Sequence, residues 1–271
     1  MKKVDMHMHT NASDGTWDVT ELKNALLENK ISVFSITDHD CVDNIKSMQD
    51  IIKASDNLTF IPGTELSTDY EGKEYHLTLY NFDINNKDLL QLMNWTNKNK
   101  LNSNKEYIGN YSAQKYENIS LKDFENYSYD RKRGGWKSAN YMIDKGIHKN
   151  IPEHLKDVYK SGLKAKLKSP NEVISIAKKS GGKIFLAHPS YHYKNSVMPM
   201  EELKHWMDLG IDGIECFSPY NGDNAKYYVD FCLKNNLMIS GGSDCHGDFI
   251  PERKLGLPKV SIDDLNIKDL I

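Results

Sequence analysis

The chain has little of what marks a secreted or membrane protein. No apolar run approaches the ~20 residues a membrane helix needs, and no signal-peptide apolar stretch opens it, so a cytoplasmic protein is expected. Cysteine is sparse: Cys41, Cys216, Cys232 and Cys245 form no close pair and no C-x-x-C, and reduced thiols are expected. Arginine is scarcer still, limited to Arg131, Arg133 and Arg253. What remains is an ordinary soluble composition, 39% apolar and 27% charged, over 271 residues. That length accommodates one α/β barrel or two small domains.

The net charge of −3 hides an asymmetry. Residues 98–168 carry sixteen Lys/Arg against eight Asp/Glu, a balance of +8, so the rest of the chain sums to −11. An acidic scaffold with a basic middle segment suits a metal site that receives an anionic substrate. A solvated, lysine-rich helical surface explains most of those lysines equally well.

Lys3-Val4-Asp5-Met6-His7-Met8-His9-Thr10 alternates with period two, the pattern of a strand that sends His7 and His9 to the same face. The turn Ser13-Asp14-Gly15 brings a carboxylate back toward them. A helix over 17–30 follows, with Val19, Leu22, Ala25 and Leu26 on one face and Thr16 or Asp18 as cap. Strand 31–36 runs into Thr37-Asp38-His39-Asp40, helix 42–54 follows, and strand 58–61 ends in Pro62-Gly63-Thr64-Glu65. A fourth strand over 74–81 contains His76. After residue 169 the alternation resumes, with strands 183–187, 213–217 and 237–241. The first of these ends in His188-Pro189 and the last in Ser243-Asp244-Cys245-His246. Strand, polar strand end and helix recur in register, which predicts parallel β/α units and about seven strands.

Between these halves the pattern lapses. Residues 85–169 are polar, helical in pattern and rich in Asn, Lys and Tyr, with breaks at Gly134-Gly135 and Pro152. They read as an inserted, mainly helical cap on a barrel built from 1–84 and 170–271.

Nine ligand-type residues fall at strand ends or inside strands: His7, His9, Asp14, His39, Glu65, His76, His188, Asp244 and His246. In a parallel β/α barrel the C-terminal strand ends share one rim, so residues spread from position 7 to position 246 would converge. Taken singly, H-x-H is a weak signal, and His76 is as well explained as an ordinary strand histidine. The set as a whole follows the strand boundaries. Nine nitrogen and oxygen ligands exceed what one ion uses, which implies two or three divalent ions; imidazole with carboxylate and no thiolate suits Zn²⁺, Mn²⁺ or Fe²⁺. Cys245, between two such ligands in an extended stretch, is expected to point the other way and pack.

In order along the chain, D-x-H-x-H-T…S-D-G, T-D-H-D, G-x-E, A-H-P and S-D-x-H resemble the PHP family, the polymerase and histidinol phosphatase metal-dependent phosphoesterases. The resemblance implies a distorted (β/α)₇ barrel with three metal ions. It places one ion on His7, His9, Glu65 and Asp244, a second on Glu65, His76 and His188, and a third on Asp14, His39 and His246. Asp244, Glu65 and His188 are its candidate catalytic residues. Within the family the chain looks most like the small bacterial enzymes that take 5′-phosphates from nucleoside bisphosphates and short oligonucleotides. Asp14 stands in the S-D-G turn where histidinol phosphatases usually carry histidine. The sequence departs from those enzymes at Arg131-Lys132-Arg133-Gly134-Gly135-Trp136-Lys137, where they have a G-R-P-H-like motif, and this leaves the exact ester open.

A phosphate-gripping guanidinium or ammonium is therefore expected among Arg131, Arg133 and Lys137. Tyr107, Tyr111, Tyr127, Tyr129 and Trp136 could stack a base, though cap packing is the simpler use of most of them. Asp5, Asp38 and Asp40 are candidates either to orient ligand imidazoles or to form turns and caps. The expected activity is metal-dependent hydrolysis of phosphate monoesters: 5′-phosphates of nucleotides, nucleoside 3′,5′-bisphosphates or short oligonucleotides. Phosphatase action on another small ester, such as histidinol phosphate, a sugar phosphate or a cyclic phosphate, is the alternative, and a non-catalytic metal-stabilised module a remote one. Positive charge confined to one segment argues against extended duplex binding.

Overall fold

The computed structural model of the chain describes residues 2–114, 116, 118–194 and 196–271. Among the described residues, nine strands form two sheets. The first holds β1 (Lys3–Asp5), β2 (Ile31–Phe34), β3 (Thr59–Phe60) and β9 (Val260–Ser261) in the order β3-β2-β1-β9. The second runs β4-β5-β6-β7-β8, from β4 (Gly63–Tyr70), β5 (Lys73–Tyr80), β6 (Lys183–Leu186), β7 (Gly213–Phe217) and β8 (Met238–Gly241). The helices are α1 (Val19–Glu28), α2 (Asp43–Ile51), α3 (Lys87–Ala113), α4 (Leu121–Asn126), α5 (Lys137–Asp144), α6 (Ile151–Ser161), α7 (Pro170–Lys179), α8 (Met200–Asp208) and α9 (Ala225–Asn235). None of the described helices is long and apolar enough to cross a membrane.

Local chemistry explains the boundaries. Asp18 caps α1 through the N–H groups of Thr20 and Glu21, and Glu21 returns a bond to the Asp18 N–H, a capping box. Leu22 and Leu26, one turn apart on α1, are buried with Ile31 and Phe34 of β2. The strands that follow helices in βαβ order pair in parallel: β1 with β2, β6 with β7 and β7 with β8.

One expectation fails here. The parallel alternation predicted from sequence does not hold around His76: β4 and β5 form an antiparallel hairpin, and β5 is also antiparallel to β6. Glu71 and Gly72 both take positive φ (52° and 75°), the two-residue turn whose twist suits a hairpin. Glu65 thus lies inside β4, not beyond a strand end, and His76 sits opposite Ser67 near the start of β5. Because β5 runs the opposite way, its beginning meets the rim where the parallel strands end.

The two sheets meet at two seams, both along that rim. Past β1, Met8 bridges Cys245 beyond β8, with His9 N donating to the Cys245 carbonyl at 2.8 Å and Asp244 N to the His7 carbonyl at 2.8 Å. Past β2, His39 bridges Glu65, with Glu65 N donating to Asp38 O at 3.1 Å and Asp40 N to Glu65 O at 2.8 Å. Cys245 packs among Met8, Leu22 and Phe34, as its alternation predicts.

Helix α3 leaves the sheet layer as one continuous rod. Its first turns bury Leu89, Leu92 and Met93 in the main core, while its last turns bury Tyr107 and Ile108 in a second cluster with Ile119, Phe124, Tyr141 and Met142. The helices over 121–161 therefore pack around their own apolar centre.

The first seam tolerates no side chain at Gly242. A Cβ there would stand 2.4 Å from both the backbone nitrogen and the Cβ of His7, and this backbone is held on both sides. Gly242→Ala is expected to cost about 1–3 kcal/mol of stability by overpacking. It should also weaken metal binding by pushing His7 outward. Denaturant titration of the metal-free protein reads the first effect, and metal titration the second.

Candidate metal centre

The rim gathers all nine predicted ligands. Glu65 lies at the middle, fully buried, and five imidazoles approach its two carboxylate oxygens: His188 Nε2 at 2.9 Å, His39 Nδ1 at 3.1 Å, His7 Nε2 and His76 Nδ1 at 3.3 Å, and His9 Nε2 at 3.4 Å. Asp244 Oδ1 lies 3.1 Å from His9 Nε2 and 3.5 Å from His7 Nε2. Asp14 faces His246 at 3.4 Å, His9 at 3.7 Å and His39 at 3.8 Å. Four groups offer ligand atoms close enough to share an ion: His9, Asp14, His39 and His246; His7, Glu65 and His188; His7, His9 and Asp244; and His39, Glu65 and His76. His76 joins His39 on Glu65, whereas the family resemblance paired it with His188.

The donor chemistry fits divalent cations. His7 Nε2, both nitrogens of His9, His39 Nδ1 and Glu65 Oε2 are buried without any hydrogen-bond partner. A buried polar atom left unpaired is costly, and several of them aimed at one point are what a hard or borderline cation satisfies. Electrostatics agree. Burial alone would push the Glu65 and Asp244 carboxyls up, yet the facing imidazoles hold both well below the ordinary carboxylate range. Asp14 is likewise held down by His246 and His39. The imidazoles divide: burial drives His39 down to about 3, whereas the Glu65 and Glu74 carboxylates overcome burial at His76 and raise it to about 10.

Backbone strain helps aim the ligands. Asp40, His188 and Asp244 adopt positive φ (44°, 28° and 50°) at strand ends, a conformation unfavourable for residues with a Cβ and recurrent at functional sites.

Of the two roles open to Asp5, Asp38 and Asp40, the described residues show the turn-forming one: they accept from backbone, hydroxyl and ammonium donors. Asp5 takes the N–H groups of Ser243 (2.9 Å), Gly256 (2.8 Å) and His7 (3.3 Å). Asp38 takes Thr10 N, Thr10 Oγ1 and Ser13 Oγ at 2.6–2.8 Å and so holds the loop that carries Asp14. Asp40 takes Ser67 and the Lys100 ammonium. The imidazole is oriented instead by Glu215 on β7, whose Oε1 lies 3.0 Å from His7 Nδ1 while Oε2 accepts His188 N at 2.7 Å. The signal was present in Gly-Ile-Glu-Cys-Phe, a single charge within an apolar strand.

The three cationic candidates of the cap reach other partners. Arg131 donates to the carbonyls of Asn11, Ala12 and Ser13, tying its own segment to the Asp14 loop. Arg133 makes a two-pronged pair with Asp144 at 2.8 and 2.9 Å, and Lys137 donates to the Glu125 carbonyl at 3.0 Å. The guanidinium at the centre is that of Arg253, 2.7 Å from Asp244 Oδ2. Tyr220 donates to the same oxygen at 3.0 Å.

Over residues 5–132 the sequence matches the family model described as the PHP domain. That match covers a little under half of the chain, and with the relatives below it supports a hydrolytic enzyme. It is 24% identical over 252 residues to the protein named 5′-3′ exoribonuclease Rnm of Escherichia coli K12, spanning 89% of this chain and 84% of that protein. A 5′-3′ exoribonuclease of Haemophilus influenzae is 33% identical over 92 residues, 34% of this chain and 33% of its own length. In fold the chain resembles a protein of Bifidobacterium adolescentis classed as a metal-dependent phosphoesterase (TM-score 0.81, 21% identity, 98% of this chain and 94% of that one). It also resembles an amidohydrolase of Chromobacterium violaceum with bound sulfate (TM-score 0.72, 18% identity, 90% and 88%).

Glu215 accepts two hydrogen bonds, and a glutamine would keep one acceptor while turning a donor toward the other N–H. Glu215→Gln is expected to lower metal affinity about 10–100-fold, the usual loss when a ligand's supporting residue is changed. Competition with a chromogenic chelator measures this directly.

Proposed function

We propose that the protein hydrolyses phosphate monoesters, taking 5′-phosphates from nucleotides, nucleoside 3′,5′-bisphosphates or short oligonucleotides. The observation that carries this reading is the ring of buried, unpartnered nitrogen and oxygen atoms converging on Glu65. A PHP domain match and a relative named as an exoribonuclease, aligned over most of both chains, support the nucleotide substrate. We also read the two sheets, hydrogen-bonded along the rim, as a distorted (β/α)₇ barrel and residues 85–169 as its cap.

In this reading His7, His9, Asp14, His39, Glu65, His76, His188, Asp244 and His246 hold two or three ions, with Zn²⁺, Mn²⁺ and Fe²⁺ all compatible with the donors. Divalent ions in such a site polarise the phosphoryl group and bring the pKa of water toward neutrality. The protein's own residues supply position. Glu215 fixes the tautomer of His7 by accepting from its Nδ1, leaving Nε2 to face the centre. The same carboxylate holds the backbone of His188. Asp38 fixes the Asp14 loop through three short bonds. Glu65 belongs to two of the four ligand groups, and imidazoles that approach its oxygens belong to the other two, so spacing within the cluster depends on one side chain. Asp244 is ordered by Arg253 and Tyr220, which neutralise and aim the oxygen turned away from the imidazoles.

Phosphate release should be measured with Mn²⁺ and with Zn²⁺ on 3′,5′-bisphosphoadenosine, AMP, a 5′-phosphorylated dinucleotide and histidinol phosphate. Turnover favouring the bisphosphate or the dinucleotide is expected, and its loss in Asp244→Ala. Equal, feeble turnover of all four would overturn the nucleotide assignment.

A further inference from the structure

Four of the five aromatic candidates of the cap, and both of its arginines, already have partners. Tyr107 and Tyr111 both donate to Asp157, Tyr127 donates to Asp144 at 2.6 Å, Tyr129 to the Gly135 carbonyl at 2.9 Å and Tyr141 to Asp123 at 3.0 Å. Arg131 and Arg133 are occupied as described above. A substrate with a base and a second phosphate must therefore find its contacts elsewhere around the ligand cluster.

One wall of the cluster offers both. Tyr191 lies in the turn after His188-Pro189, with its ring 5.6 Å from that of His188 and 51% exposed. Edge to face against it, at 5.1 Å, stands Tyr220, itself 5.4 Å from His188. The Arg253 guanidinium lies over the Tyr220 ring at 5.1 Å and reaches Asp244 through Nη1. Two metal-ligand candidates, His188 and Asp244, thus share a wall that has an open π-face at its outer end and a fixed cation at its inner end. Trp136 is also partly exposed, but its ring meets Phe249 at 5.9 Å, and it is Phe249 that stands 6.3 Å from His246.

We propose that Tyr191, Tyr220 and Arg253 form the subsite for the nucleoside end of the substrate. Tyr191 stacks a nucleobase and Arg253 binds a phosphate oxygen beyond the one being cleaved. Stacking of this kind tolerates every base, because each has a π-face. The guanidinium fork suits a phosphate, and Nη1 alone engages Asp244 among the described residues, which leaves donors for a second anion. This assignment rests on the nucleotide reading above and says which face of the centre reads the nucleotide.

The test compares Tyr191→Ala and Tyr191→Phe in the metal-loaded enzyme. The ratio of kcat/KM for 3′,5′-bisphosphoadenosine to that for ribose 5-phosphate is expected to fall about tenfold or more in the alanine variant, the scale of one lost base–aromatic stack, and to recover in the phenylalanine variant. Calorimetric binding of AMP should weaken in parallel. An unchanged ratio and unchanged AMP affinity in Tyr191→Ala, or a fall produced by Trp136→Ala instead, would overturn the subsite. Tyr191-dependent AMP binding in an enzyme that cleaves no nucleotide would support the subsite while overturning the proposed activity, so the two failures are distinct.

Discussion

Glu65 is a fully buried carboxylate with five imidazole nitrogens within 3.4 Å, and the rim is arranged around what such a group requires. An anion out of water must be compensated, and neutral imidazoles provide hydrogen bonds but no net charge. Burial drives His39 down, whereas the Glu65 and Glu74 carboxylates drive His76 up, so the imidazoles do not all become cations to compensate the carboxylate. Divalent cations resolve the conflict at once: they accept the unpartnered lone pairs of His7, His9, His39 and Glu65 and repay the cost of burying the carboxylates. The strained backbone at Asp40, His188 and Asp244 belongs to the same arrangement, since each turns the chain at a strand end beside the cluster.

Much of this was legible in the sequence because strand ends are easy to mark. Alternation in Met6-His7-Met8-His9 puts two imidazoles on one face, and Met8 and Cys245 on the other, where both pack with Phe34. The hairpin was not legible. Pro62-Gly63 reads as the end of a strand, and nothing in the hydrophobic pattern shows that the chain restarts as β4 and reverses at Glu71-Gly72; that turn works through backbone φ, which glutamate does not advertise. His76 was still found, because a strand reversed in direction and entering at the rim delivers its early residues where a parallel strand delivers its late ones.

The supporting shell was the least legible part. Asp5, Asp38 and Asp40 lie beside ligands in sequence, yet their carboxylates turn back to nearby N–H and hydroxyl donors, as aspartate readily does in turns. Glu215, which does orient His7, is 208 residues away and meets it only across the sheet. The arginines show the same limitation. Arg131 and Arg133 stand in a basic run that suggests anion binding, but carbonyls and Asp144 consume them, whereas Arg253 stands in an unremarkable stretch and reaches Asp244. Local sequence identifies groups able to bear a charge; the fold decides whether a partner has already claimed it.

The seam between Met8 and Cys245 has a consequence for how the protein is made. It joins the first strand to the last segment of the centre, so His7 and His9 wait for Asp244 and His246 while nearly the whole chain leaves the ribosome. Until then the early histidines have Asp14, His39 and Glu65 but not the wall that orders them, and pairing over such a separation is slow to close. An ion captured before the two ends of the seam meet would face an incomplete set of these side chains.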